Sequence, residues 1–137
     1  DAREPTQFVF TSDRLRLGLL TDLGSITPRV LRAFDGLDAL LLECNHDLEL
    51  LGNGPYPPSL QARVGGHYGH LNNAQAADFL RQIDHGRLRH LVAGHLSEKN
   101  NAPELARLAL ESVSADLGDC LSLLIQDRAS DWFAIAS

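Results

Sequence analysis

The sequence lacks methionine entirely and has only two cysteines, Cys44 and Cys120, in 137 residues. Two cysteines cannot build a disulfide framework, which favours a reduced, cytoplasmic setting. The opening stretch, residues 1–5, is polar and lacks the apolar core of a signal peptide. Because no methionine is present, we expect the chain to be a piece of a longer protein.

Long apolar runs and an excess of positive charge are also absent. No run approaches the roughly 20 residues that span a bilayer, so no membrane partner is expected. The net charge of −6 argues against a basic nucleic-acid-binding surface over the whole molecule. It does not exclude a phosphodiester substrate, because bound metal ions supply positive charge locally. The sequence contains no Walker A motif, Gly-x-Ser-x-Gly elbow or Rossmann glycine fingerprint.

The hydrophobic pattern predicts one α/β domain over residues 1–137. Thr27 and Pro28 are expected to start the first helix, and Asn101 to cap the last one with Glu104 in a capping box. Helices on one face would leave the other face of apolar strands exposed, which indicates a missing partner layer. The predicted strands are 7–10, 15–22, 39–44, 87–94 and 122–126, with a short edge at 132–135; the predicted helices begin at residues 27, 47, 59, 73 and 101.

Three of these strands end at a side chain that can bind a metal or transfer a proton: Asp22, Glu43 and His95. In open α/β sheets, ligands bind at the carboxyl edge of the strands. A carboxylate can bridge two cations, and a neutral imidazole suits zinc or manganese. The alternative is structural, with Asp22 in a turn and His95 as a core or loop histidine. Two ligands are too few for a metal site, so others must come from elsewhere.

His70 lies in a glycine-rich segment just before a predicted helix, and it could pair with Glu43. Such a carboxylate would orient the imidazole and favour its protonated form, which is a good general acid for a phosphodiester leaving group. The alternative is an exposed loop histidine. His46 and Asp47 are candidates for groups that support the ligands, or else form the polar start of a helix.

Several short sequence motifs together match a known family. They are Thr21-Asp22-Leu23-Gly24, Leu41-Leu42-Glu43-Cys44-Asn45-His46-Asp47, Asn53-Gly54-Pro55-Tyr56-Pro57, Gly69-His70-Leu71-Asn72-Asn73 and Gly94-His95-Leu96-Ser97-Glu98-Lys99-Asn100-Asn101. In these motifs the chain resembles the C-terminal half of a metallo-β-lactamase-fold hydrolase of the YycJ/WalJ-like branch of exonucleases or phosphodiesterases. The motifs are specific as a set, whereas any one alone is weak.

The resemblance implies a fold and a set of roles. The fold would be half of the four-layer αβ/βα sandwich, with the N-terminal half and its His-x-His-x-Asp-His motif absent. Asp22 would bridge two divalent metal ions, His95 would be the last metal-binding histidine, and Glu43 with His70 would form a proton-donor pair. Position 72 departs from the family, with asparagine where serine is common.

The resulting hypothesis is a metal-dependent, nuclease-like phosphodiester hydrolase with two zinc or manganese ions in the complete protein. The expected partners are the N-terminal half of the same domain and a nucleic acid or small phosphodiester substrate, and a homo-oligomer is left open. This chain alone is expected to be inactive and need not contain bound metal. The alternatives are a hydrolase of small cyclic phosphodiesters or phosphate esters and, in another class, a non-catalytic α/β interaction domain.

Overall fold

The computed structural model describes residues 4–135 and shows an α/β architecture, a mixed five-stranded sheet with covering helices. This confirms the predicted fold class. Among the described residues, no helix combines the length and apolar character needed to cross a membrane. In chain order the elements are β1 (Phe8–Ser12), β2 (Leu15–Leu20), α1 (Pro28–Ala33), β3 (Ala39–Glu43), α2 (Leu48–Asn53), α3 (Pro58–Val64), α4 (Asn73–Gln82), β4 (His90–Gly94), α5 (Pro103–Glu111), α6 (Ala115–Cys120) and β5 (Leu121–Leu123).

The five strands form one sheet in chain order, β1-β2-β3-β4-β5. β1 and β2 form an antiparallel hairpin, while β2 to β5 run parallel to one another. β3 is central: its Leu42 pairs with Leu20 of β2, and its Glu43 pairs with Gly94 of β4. The carboxyl ends of β2, β3 and β4 therefore lie side by side at one edge.

The helices cover one face of the sheet and form the core against it. Side chains alternate between the two faces of a strand, so Leu40 and Leu42 of β3 share this face, and both are fully buried. Phe34, which follows α1, packs edge to face on Phe79 of α4, with ring centroids 5.9 Å apart. Burying each such side chain contributes about 1.5–3 kcal/mol.

The opposite face of the sheet is apolar and only partly covered. Phe8 and Phe10 of β1 are 46% and 54% exposed. Over β3 and β4, segment 129–135 lies against the sheet, and the Phe133 ring contacts the His90 ring at 5.7 Å between centroids. The exposed aromatic rings agree with the prediction that the helices cover one side alone.

One predicted strand and one predicted helix cap are wrong. No strand forms within residues 132–135, because this segment lies across the face of the sheet instead of pairing at its edge. Asn101 does not cap α5, whose N-cap is Ala102 without a side-chain hydrogen bond. The Asn101 amide instead donates to the Cys44 carbonyl oxygen at 2.7 Å. The predicted Thr27 cap is confirmed, since its side chain accepts the Val30 N–H.

Candidate metal and phosphodiester site

Asp22, Glu43, His70 and His95 come together at the carboxyl edge of the sheet. One ligand atom from each of the four residues lies within 4.8 Å of the others. Glu43 ends β3, Asp22 and His95 follow the flanking strands β2 and β4, and His70 comes from the loop before α4. The structure thus gathers the four side chains that the sequence singled out for metal binding and proton transfer.

Asp22 and His95 both adopt the left-handed backbone conformation, with φ of 58° and 56°. Within residues 4–135, the only other non-glycine residue with positive φ is Asp13, in the β1–β2 turn. Such a conformation costs a side-chain-bearing residue about 1–3 kcal/mol and is concentrated at functional sites. Two residues held this way, one on each side of the end of β3, point to a site built for ligand geometry.

Glu43 is the hub of the cluster. Its carboxylate is fully buried, and its Oε1 lies 2.7 Å from Nδ1 of His70 and 2.8 Å from Nδ1 of His95. Its Oε2 accepts the backbone N–H groups of Leu23 at 3.2 Å and Leu71 at 3.4 Å. The sequence predicted the pairing with His70, but it did not reveal that the same oxygen also serves His95.

These contacts set the ionisation of the cluster. Burial raises the pKa of Glu43, but the hydrogen bonds from His70 and His95 outweigh it, so the pKa lies below its usual value. In return, the hydrogen bond to Glu43 raises the pKa of His95 despite the opposing effect of burial. Because each ring faces the carboxylate through Nδ1, each Nε2 is left for a metal or a proton.

Asp22 stands at the open side of this arrangement. Its side chain is 55% exposed, and its Oδ1 lies 3.9 Å from Nδ1 of both histidines, beyond hydrogen-bond distance. The turn that carries it packs directly on the His70 loop: a Cβ at Gly24 would lie only 2.5 Å from the Gly69 nitrogen. Glycine at position 24 is therefore required for this close approach.

His46 and Asp47 lie outside the four-residue cluster. Asp47 caps α2, where its Oδ1 accepts the N–H groups of Glu49 at 2.9 Å and Leu50 at 3.0 Å. These are the contacts of a polar helix start, the alternative considered from sequence. His46 is fully buried, burial lowers its pKa, and within residues 4–135 its Nε2 has no hydrogen-bond partner.

Asn45, which was not predicted as a site residue from the sequence, ties both histidine-bearing loops to the end of β3. Its side-chain amide donates to the His95 carbonyl oxygen at 3.1 Å. Its backbone N–H donates to Leu71 at 2.9 Å, and its carbonyl accepts the Ser97 N–H at 2.8 Å. An asparagine directly after an apolar strand was the available signal, because an amide can donate and accept at once.

A second contact missed from sequence joins α4 to the loop before α5. The side-chain amides of Asn73 and Asn101 bond reciprocally, each at 2.9 Å. The signal in the sequence was a pair of repeated motifs. Gly-His-Leu occurs at 69–71 and again at 94–96, and Asn-Asn-Ala occurs at 72–74 and again at 100–102. The pairing links the chain segments that follow the two histidines.

The donor chemistry of the cluster fits a divalent metal. Carboxylate and imidazole groups are the usual ligands of zinc and manganese, and metal-binding imidazoles commonly give their other nitrogen to a carboxylate. With Glu43 holding both Nδ1 atoms, the remaining donors are Asp22 and the two Nε2 atoms. These are fewer than the four ligands of a closed zinc site, so the cluster calls for further ligands.

Sequence relatives of the chain carry the YycJ and WalJ names, which confirms the predicted resemblance to that branch. It is 35% identical over 118 residues to "Exodeoxyribonuclease YycJ" of Bacillus anthracis, covering 86% of this chain and 45% of the relative. It is 33% identical over 133 residues to "Exodeoxyribonuclease WalJ" of Streptococcus pneumoniae strain D39, covering 96% of this chain and 49% of the relative.

The chain spans about half the length of the curated relatives it matches. No family model matches it. A solved structure described as a new diphosphatase from the PhnP family aligns over 79% of this chain and 32% of that chain, at 17% identity and a TM-score of 0.46. That likeness is too distant to add to the sequence evidence.

Proposed function

We propose that this chain forms part of a metal-dependent phosphodiester hydrolase that acts as a nuclease on DNA. The observation that carries the proposal is the convergence of Asp22, Glu43, His70 and His95 at one sheet edge. The relatives' name, exodeoxyribonuclease, supports DNA as the substrate class.

In this proposal Asp22 and His95 would hold divalent ions, two of zinc or manganese in the complete protein, together with ligands from outside this chain. When bound, such ions supply Lewis-acid activation of the phosphodiester and of the attacking water. Asp22 would be free to bind a metal because its carboxylate is exposed and is not hydrogen-bonded to the histidines. Glu43 orients the His95 ring through Nδ1 and leaves Nε2 for a metal.

His70 is the proposed proton donor to the leaving oxygen. Its Nδ1 is fixed by Glu43 at 2.7 Å, so the ring can present a proton on Nε2. The ionised Glu43 stabilises the positive charge that this role requires, and a side chain placed in this way contributes typically 100- to 10,000-fold to a rate. Glu43 does not touch the substrate in this scheme, and it positions both imidazoles.

The partly covered face of the sheet supports a completed four-layer sandwich. Phe8 and Phe10 are about half exposed and lie beside Leu17 and Leu19 in one apolar patch, as expected of a surface that another layer covers, and the relatives are about twice as long as this chain. We propose that an N-terminal half of the same domain packs there and supplies the remaining metal ligands, so that this chain alone is inactive. A cytoplasmic location and a homo-oligomer remain predictions.

The test uses the full-length natural protein, stripped with chelator and reloaded with zinc or manganese. We expect metal-dependent cleavage of single-stranded DNA, and a loss of at least about 100-fold in Asp22→Asn. Asp13→Asn is the matched control, because Asp13 is also an aspartate with positive φ but lies outside the cluster. Activity that survives in Asp22→Asn would contradict the proposal. Cleavage of small cyclic phosphodiesters without DNA cleavage would overturn the substrate assignment.

A further inference from the structure

A cavity of about 310 Å³ opens directly beside the two histidines of the cluster. Asn45, His70 and His95 form one side of it, and Tyr56 and Lys99 contribute from the other lining segments. The volume is at the small end of ligand pockets, which suits one nucleotide unit better than a duplex.

Tyr56 is presented by a rigid segment. Pro55 and Pro57 flank it, and α3 begins immediately afterwards at Pro58. At Gly54 a Cβ would lie 2.5 Å from Asn100 Oδ1, so this segment packs tightly on the turn that follows His95. A half-buried aromatic ring held in this way loses little freedom when a ligand stacks on it.

Lys99 is the single lysine in the sequence, and it lies at this cavity. Its Nζ is 6.0 Å from the centroid of the Tyr56 ring, at the outer limit of a cation–π contact. Glu98 also lines the cavity, but among residues 4–135 no carboxylate lies within ion-pair distance of the Lys99 ammonium group. The ammonium group is therefore placed to meet an anion from a ligand.

We propose that Tyr56 and Lys99 form a subsite for the nucleotide next to the scissile phosphodiester, with the base on the Tyr56 ring and a phosphate at Lys99. The inference rests on the proposed function and deepens it. Aromatic side chains stack any base, and a neighbouring cation tracks the backbone, which is the chemistry of single-strand binding. An unstacked, single-stranded nucleotide is thus the preferred ligand.

Two substrates with one leaving group test the subsite in the full-length metal-loaded protein. Thymidine 5′-(p-nitrophenyl phosphate) carries a nucleoside, whereas methyl p-nitrophenyl phosphate does not, and both release p-nitrophenol. We expect Tyr56→Ala to raise KM for the thymidine substrate by about 5- to 100-fold and to leave kcat within about twofold. The methyl substrate should change by less than about twofold, and Tyr56→Trp should restore the thymidine KM.

Lys99→Gln keeps the test decisive if Tyr56→Ala does not fold, because Lys99 is an exposed side chain and its replacement should leave folding unchanged. It should raise KM for a single-stranded oligonucleotide and reduce the salt dependence of that KM. Tyr68→Ala, a 61% exposed tyrosine that does not line the cavity, is the control and should match wild type.

The outcomes separate the subsite from the hydrolase. If wild type cleaves both small substrates but Tyr56→Ala changes neither KM, or changes both equally, and Lys99→Gln leaves the oligonucleotide KM unchanged, the subsite is wrong and the hydrolase stands. If wild type with metal cleaves neither substrate and no DNA, the proposed function itself fails.

Discussion

At the scale of single residues, Glu43 decides how the cluster works. One buried carboxylate accepts two imidazole N–H groups on Oε1 and two backbone N–H groups on Oε2. All of its partners are donors. Replacing this buried carboxylate is costly. A replacement group that carries its own N–H or O–H would point that hydrogen at another donor and leave hydrogen bonds unmade.

Glu43→Gln tests this hub with the least change in shape. Whichever way the amide is turned, its NH₂ faces N–H donors, either the two imidazoles or the N–H groups of Leu23 and Leu71. We expect phosphodiesterase activity of the full-length protein to fall by about 100- to 10,000-fold. Glu104→Gln, on the outside of α5, is the control. Activity within about threefold of wild type would rule out the hub role.

Asn45 tests whether the histidine loops need their tether. Asn45→Ala and Asn45→Asp both remove the N–H that the side chain donates to the His95 carbonyl. We expect each variant to lose about 10- to 100-fold in activity or metal affinity, as for other groups that orient metal ligands. Asn53→Ala, which removes a side-chain hydrogen bond within α2, should match wild type in a metal titration. Wild-type affinity in both Asn45 variants would show that the tether is dispensable.

The candidate residues could be predicted from sequence, but the contact of one Glu43 oxygen with both His70 and His95 could not. Asp22, Glu43 and His95 stand out because each ends an apolar strand, and parallel strands bring such ends to one edge. One Glu43 oxygen contacts both imidazole rings because the loops that carry His70 and His95 fold back onto the end of β3. These histidines lie 27 and 52 residues after Glu43 in the chain. No spacing along the chain encodes that contact.

At the scale of elements, β2 and β3 are joined at their amino ends by a buried carboxylate. Asp38, directly before β3, accepts the Arg16 N–H at 2.9 Å and the Arg87 guanidinium at 2.9 and 3.1 Å. The Arg16 N–H and the Arg87 side chain outweigh burial and hold the pKa of Asp38 below its usual value of 3.8. These hydrogen bonds of Asp38 lie at the amino-terminal edge of the sheet, opposite the cluster.

The sign of the pKa shift gives a pH dependence of stability. Because the folded pKa of Asp38 is lowered, its stabilisation is present above 3.8 and is lost as the pH falls through the folded value. Asp38→Asn should therefore lower the free energy of unfolding near neutral pH, and the difference should shrink below about pH 4. Urea unfolding at both pH values measures it, with the exposed Asp78→Asn as the control. A difference that grows on acidification would contradict the assignment.

Elements that depend on local signals were predictable, and those that depend on distant partners were not. Thr27 caps α1 as its Thr-Pro start indicates. Asn101 has the composition of a cap but is engaged by Asn73 and the Cys44 carbonyl, so α5 starts without it. The apolar stretch 132–135 has the composition of a strand. In the structure it packs on the face of the sheet and does not pair with another strand.

At the scale of the whole molecule, the half-covered sheet is the main feature. Phe8 and Phe10 pair across β1 and β2 with Leu19 and Leu17, so these four side chains share the open face. The relatives' length is consistent with a second layer.

Phe10→Ala in the full-length protein tests for this second layer. If another layer packs on the face, the substitution should cost about 3–5 kcal/mol of unfolding free energy, the cost for a buried phenylalanine. Leu108→Ala, on the outer side of α5 and 64% exposed, should cost less than about 0.5 kcal/mol. Urea unfolding compares the two. Equal, small effects would mean that Phe10 stays exposed and that no layer covers it.

The most direct measurement is the metal content of the full-length protein, determined by mass spectrometry of the purified wild type and of Asp22→Asn, His95→Ala and Asp13→Asn. We expect about two divalent ions per chain in wild type and Asp13→Asn, with a clear loss in Asp22→Asn and His95→Ala. Equal metal content in all four proteins, or none in wild type after metal loading, would contradict a metal site built on Asp22 and His95.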